Sequence, residues 1–151
     1  MKPVTVTITV PQQRERVYTF LDVLANHESF TDHLLVDWHL SGPSAGVGAK
    51  AKVKTAAPVS NEQLEVTVVD VEAPVRIVEE TLGAGGRRRT RGTYLLEDLG
   101  SQGTRISFEM SWLEAPRGER LLGPLTRAFV RRSNAKSIRR LAKELGKGPS
   151  P

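Results

Sequence analysis

The chain has 151 residues, the length of one domain with one sizeable core. Its 38% hydrophobic and 26% charged content is that of a globular protein, with no apolar run near the roughly 18 residues a membrane-spanning helix needs. It has no cysteine, which excludes a disulfide framework, a thiolate nucleophile and a cysteine metal site.

Val4, Val6, Ile8 and Val10 alternate with three threonines and predict a half-buried strand ended by Pro11. From Gln12 to about Leu24 the period becomes helical through Val17, Phe20 and Leu21, and a break near Asn26 divides the segment into two short helices. Leu34, Val36, Trp38 and Leu40 then alternate with Leu35, Asp37 and His39, placing Trp38 inward and His39 outward. After a Gly-Pro turn at 42–46, Ala49, Ala51, Val53 and Thr55 alternate with three lysines that assign their face to solvent. Further strands are predicted at about 62–71, 76–82, 87–97 and 104–112, separated by turns at Ala73-Pro74, 83–86 and 98–103.

From Glu119 to Leu145 the pattern is that of a long amphipathic helix. This segment carries eight basic residues against two acids, a net of +6, leaving fourteen basic and fifteen acidic residues elsewhere, so the overall +5 belongs to one helix. A proline in a helix interior loses a backbone bond and crowds the preceding turn. Gly123-Pro124 therefore predicts either a short helical turn before a break or a kinked helix; the plainer alternative is that Pro124 opens the main helix. The inner stripe runs through Leu122, Thr126, Phe129, Val130, Ser133, Asn134, Ser137, Ile138, Leu141 and Leu145, and its middle is polar.

The order strand, two short helices, six strands, long helix resembles the START-like, helix-grip superfamily called SRPBCC, and within it the polyketide cyclase/dehydrase-like group. The resemblance lies in the opening strand with Pro11 and 17–22 (VYTFLD), in 46–49 (GVGA), 74–77 (PVRI) and 103–106 (GTRI), and in the ending 137–145 (SIRRLAKEL). It implies an α+β domain over 1–146, a curved antiparallel sheet of about seven strands around the last helix, with 147–151 as a loose tail. It also implies a cavity between sheet and helix for a lipid, isoprenoid or polyketide-like aromatic.

Alternation places large Trp38, Phe108, Met110 and Trp112 inward, together with small Ala51, Thr90 and Gly92. The tryptophans and Phe129 either wall an open cavity or fill it. The candidate ligand-binding residues are these, with Val53, Tyr94, Phe129, Ser133, Asn134 and Ser137. Pairing the last two strands sets Glu97 opposite Arg105, Leu96 opposite Ile106, Tyr94 opposite Phe108 and Gly92 opposite Met110. Carrying the register back sets Glu80 against Arg89 outside, and Glu79 against Thr90 and Thr81 against Arg88 inside. Tyr94, Glu79 and Arg88 are thus the candidates for acid–base chemistry, with Glu79 alternatively paired to surface arginines.

His27, His33 and His39 recur every six residues, which is not a metal-ligand spacing, so neither a metal nor another cofactor is expected. Arg87, Arg88, Arg89 and Arg91 divide between two faces without an aromatic platform, which argues against nucleic acid. The leading expectation is a cytoplasmic binder of a small hydrophobic or amphipathic molecule. Two alternatives stand beside it: an enzyme similar to polyketide cyclases or dehydratases, and a module docking on anionic membranes or a protein partner through the basic helix.

Overall fold

The structure is a computed structural model that describes residues 1–56 and 61–147. The tail expected at 147–151 lies outside the described residues beyond Lys147. Seven strands form one antiparallel sheet: β1 (Val4–Val10), β2 (Leu35–Ser41), β3 (Lys50–Thr55), β4 (Gln63–Glu72), β5 (Arg76–Gly83), β6 (Arg88–Asp98) and β7 (Thr104–Glu114). Their spatial order is β1-β7-β6-β5-β4-β3-β2, so the first strand closes onto the last. The segment between β1 and β2 carries the chain from one sheet edge to the other. It holds α1 (Arg14–Asp22), a 3-10 turn (Leu24–His27) and α2 (Glu28–Thr31). After β7 come α3 (Arg117–Leu121) and the long α4 (Gly123–Gly146), which packs along β1 and α2. This is the helix-grip architecture the sequence predicts.

Local chemistry explains the elements. Val17, Tyr18 and Leu21 bury one face of α1. Asp22 accepts a hydrogen bond from the Gly46 backbone N–H at 3.1 Å, tying α1 to the β2–β3 turn. Gly103 has φ +96, and a Cβ there would stand 2.0 Å from the Val10 carbonyl oxygen, so only glycine lets the β6–β7 turn pass under β1. Pro124 sits in the first turn of α4, where its missing N–H costs no helical bond. The break falls one step earlier, at Leu122 (φ −96, ψ 23), so a short helix precedes the main one.

The β6–β7 register is the predicted one, including Glu97 opposite Arg105 and Tyr94 opposite Phe108. The β5–β6 register differs by two residues. Glu79 faces Gly92, Glu80 faces Arg91, Thr81 faces Thr90 and Arg88 faces Gly83, because the reversal, a 3-10 turn at Ala84–Gly86 followed by Arg87, is centred one residue later than expected. A two-residue slip preserves the faces, so Glu79 still points inward. In β2 the expectation fails for Val36 and Leu40, which are exposed, while Leu34 and Leu35 reach the interior with Trp38. A bulge between Val36 and His39, with Asp37 at φ +61, shifts the alternation there.

Candidate ligand cavity between the sheet and the last helix

A cavity of about 600 Å³ separates the concave face of the sheet from α4. Its walls come from the 3-10 turn, α2, β2 to β7, α3 and the inner stripe of α4. Trp38, Trp112 and Phe129 stand in the wall and leave the space open. The volume lies within the range of small-molecule sites.

Of the residues expected to line it, Trp38, Thr90, Tyr94, Phe108, Met110, Trp112, Phe129, Ser133, Asn134 and Ser137 do so. Ala51, Val53 and Gly92 do not. Ala51 and Val53 face inward but are fully buried in the core. The space over Gly92 is taken by the Phe108 ring, whose carbons lie 2.8 and 2.9 Å from where a Cβ would stand. Ala51 of β3 and Gly92 of β6 thus serve close packing and do not open the void.

The inner end is aromatic and ionisable. Tyr94 packs on Phe108 with ring centroids 4.6 Å apart, and His27 meets Tyr94 edge-on at 5.7 Å and Phe30 at 5.2 Å. His27 Nε2 lies 2.7 Å from the Leu21 carbonyl oxygen. A carbonyl only accepts, so Nε2 carries the proton and Nδ1 presents a lone pair when the ring is neutral. Nδ1 is 3.9 Å from Glu79 Oε2, too far for a hydrogen bond. Burial pushes the Glu79 carboxyl up to about 7. Burial likewise lowers His27 to about 4, partly offset by the bond to Leu21. The Tyr94 phenol is raised well above its ordinary value by burial and by the Glu79 charge. Glu79 and Tyr94, two of the three candidates, therefore lie at one end of the cavity, with His27 as a third member.

Arg88 is elsewhere. It lies opposite Gly83, four residues along β5 from Glu79, or about 13 Å at the usual strand rise. There it bonds Glu62 at 3.0 Å and grips Glu119 of α3. Its charge is committed to two carboxylates, which hold α3 against the sheet. The surface arginines Arg89 and Arg91 pair with Glu80, not Glu79.

Three buried polar atoms of cavity-lining residues have no hydrogen-bond partner among the described residues: Glu79 Oε2, Trp38 Nε1 and Asn134 Nδ2. Ser137 differs, since its hydroxyl donates to the Ser133 carbonyl at 3.1 Å and lies 3.3 Å from His33 Nε2. His33 in turn meets Arg140, which also pairs with Asp32. Sequence reasoning missed His27, because a histidine in a short 3-10 turn has no register to place it. The available signal was its position between buried Leu24 and Phe30.

No family model matches the chain, and no curated protein matches its sequence. Solved structures do match its fold. TTHA0849 from Thermus thermophilus superposes with a TM-score of 0.75 at 17% identity, covering 99% of this chain and all of that one. The chain has the helix-grip fold. Norcoclaurine synthase from Thalictrum flavum, solved with dopamine and hydroxybenzaldehyde, matches with a TM-score of 0.74 at 12% identity, over 99% of this chain and 89% of that one. DynU16, from the dynemicin biosynthetic locus, matches with 0.68 at 19% identity, over 97% of this chain and 48% of that one.

Proposed function

We propose that the protein binds a small apolar or amphipathic molecule between the sheet and α4. The observation that carries this is a cavity of about 600 Å³ with unpartnered polar atoms on its lining residues. Ligand sites combine apolar walls with a few polar groups that fix orientation. Lipids, isoprenoids and polyketide-like aromatics fit the volume, and the fold match to a synthase solved with two aromatic molecules supports the aromatic end of that range. The test is amide chemical-shift mapping with N-phenyl-1-naphthylamine, a neutral apolar probe. Shifts concentrated at Thr90, Tyr94, Phe108, Ser133 and Asn134 are expected. Shifts confined to the outer faces would contradict the proposal.

A second reading, an enzyme working in the same cavity, is favoured by the Glu79 carboxyl poised near 7 beside Tyr94 and His27. A group with that proton affinity exchanges protons readily at neutral pH, as cyclisation or dehydration through an enol requires. Proton–deuterium exchange at the α-carbon of an aryl ketone, followed by NMR, is expected to run above the buffer rate and to drop to it in Glu79→Gln. Equal rates for wild type and buffer would remove this reading.

A third reading is favoured by the cavity rim. Leu121, Leu122, Leu125 and Phe129 are exposed on α3 and the start of α4, and Arg120, Arg131, Arg132 and Lys136 are exposed on the same two helices. An apolar patch amid cations suits an anionic bilayer, where each basic residue contributes about 1 kcal/mol. Co-sedimentation with phosphatidylserine vesicles, lost at high salt and in Leu121→Ser/Leu125→Ser, is expected. Equal recovery on neutral and anionic vesicles would end it.

A further inference from the structure

At the inner end of the cavity, once Glu79 is ionised, two hydrogen-bond acceptors converge without a donor between them. Glu79 Oε2 is sheltered and unpartnered, and His27 Nδ1, its lone pair free because Nε2 is engaged with Leu21, lies 3.9 Å away. One nitrogen bearing two or more N–H groups spans that separation with bonds of about 2.8 Å to each acceptor. A hydroxyl carries one proton and satisfies only one of them.

The surroundings sharpen the choice. Around Glu79 the sheet offers Val68 from β4 and Gly92 from β6, neither of them ionisable. Tyr94 from β6 is the other titratable group at that end, and α4 contributes the neutral amide of Asn134. The only cationic side chain in the described wall is Arg88, held by Glu62 and Glu119 at the far end. The carboxylate therefore has no resident cation. Phe30, Tyr94 and Phe108 form aromatic surface around it.

We infer that the inner end of the cavity recognises a primary amine on an aromatic ligand, with the Glu79 carboxylate and His27 Nδ1 accepting its N–H groups. This rests on the cavity being the binding site, as proposed above. Burial pushes Glu79 up to about 7 because nothing nearby compensates its charge. An ammonium group supplies that compensation. Aliphatic amines stay protonated to about pH 10, so affinity for them rises as pH climbs through the Glu79 range and levels off above it.

The test is displacement of N-phenyl-1-naphthylamine by a matched pair, 2-(2-naphthyl)ethylamine and 2-(2-naphthyl)ethanol, at pH 6 and pH 8. At pH 8 the amine is expected to displace the probe at about tenfold lower concentration than the alcohol, in line with one charge-assisted bond. That advantage should shrink several-fold at pH 6. In Glu79→Gln it should vanish at both pH values while the probe still binds. If that variant does not fold, the amine-to-alcohol ratio and its pH dependence in the wild type decide alone. Equal displacement by both compounds, with the probe bound, overturns the amine site and leaves the cavity reading intact. Failure of the probe to bind overturns both.

Discussion

Glu79 and His27 pull stability in opposite directions as pH changes. The Glu79 carboxyl goes from an ordinary 4.5 to about 7 on folding. Between those values the folded chain holds a proton that the unfolded chain has released. Stability from this group is therefore present at low pH and lost as pH rises from 4.5 to 7, by about 3 kcal/mol. His27 goes from 6.5 down to about 4. There the unfolded chain takes up the proton first, so stability is lost as pH falls from 6.5 to 4, by a similar amount of about 3 kcal/mol. From about pH 4.5 to 6.5 the two slopes offset each other. Glu79→Gln should unmask the histidine slope, so that urea denaturation shows stability rising with pH across that window. Parallel wild-type and variant profiles would mean that Glu79 is not held protonated in the fold.

At the scale of elements, Arg88 staples three pieces of chain: β6, the residues just before β4 through Glu62, and α3 through Glu119. Arg88→Ala leaves two part-buried carboxylates facing each other without a cation. A loss of about 2 kcal/mol is expected from unpaired buried charge, measured by urea denaturation, together with higher amide exchange in α3. Unchanged exchange in α3 would show that the helix is held by other contacts. How far such elements were legible in the sequence depended on what fixes each one. The β6–β7 register followed from a tight turn whose glycine has no alternative and from opposite charges at Glu97 and Arg105, 2.7 Å apart. The β5–β6 register slid by two because the glycine-rich connection adopts a 3-10 turn, which alternation cannot count. The β2 bulge rests on a single positive φ at Asp37, a backbone event with no period to betray it. Within the site, the polar middle of α4 was readable from helical spacing. His27 was not, because its role depends on the 3-10 turn aiming it at Glu79 across the interior.

Over the whole molecule, closing β1 onto β7 puts both sheet edges, β1 and β2, beside the helical segments, so α4 bridges the concave face. Its carboxy-terminal half seals that face with Ile138, Leu141 and Leu145, all buried. Its first turns carry Leu122, Leu125 and Phe129 at an exposed rim. The core is thus dense at one end and open at the other, and the small side chains at Ala51 and Gly92 belong to the dense packing. The cavity comes from the distance between α4 and the sheet, with Ser133 and Asn134 in its path in place of bulky apolar residues. Enlarging one of these from the helix side fills the space without touching the sheet. The most direct measurement is a fluorescence titration of N-phenyl-1-naphthylamine into wild type and Ser133→Phe, with folding of both checked by circular dichroism. A saturable one-to-one signal in the wild type that weakens at least about tenfold in the variant, or about 1.4 kcal/mol, is the predicted result. Equal binding to both folded proteins, or none to the wild type, would contradict a ligand site between the sheet and the helix.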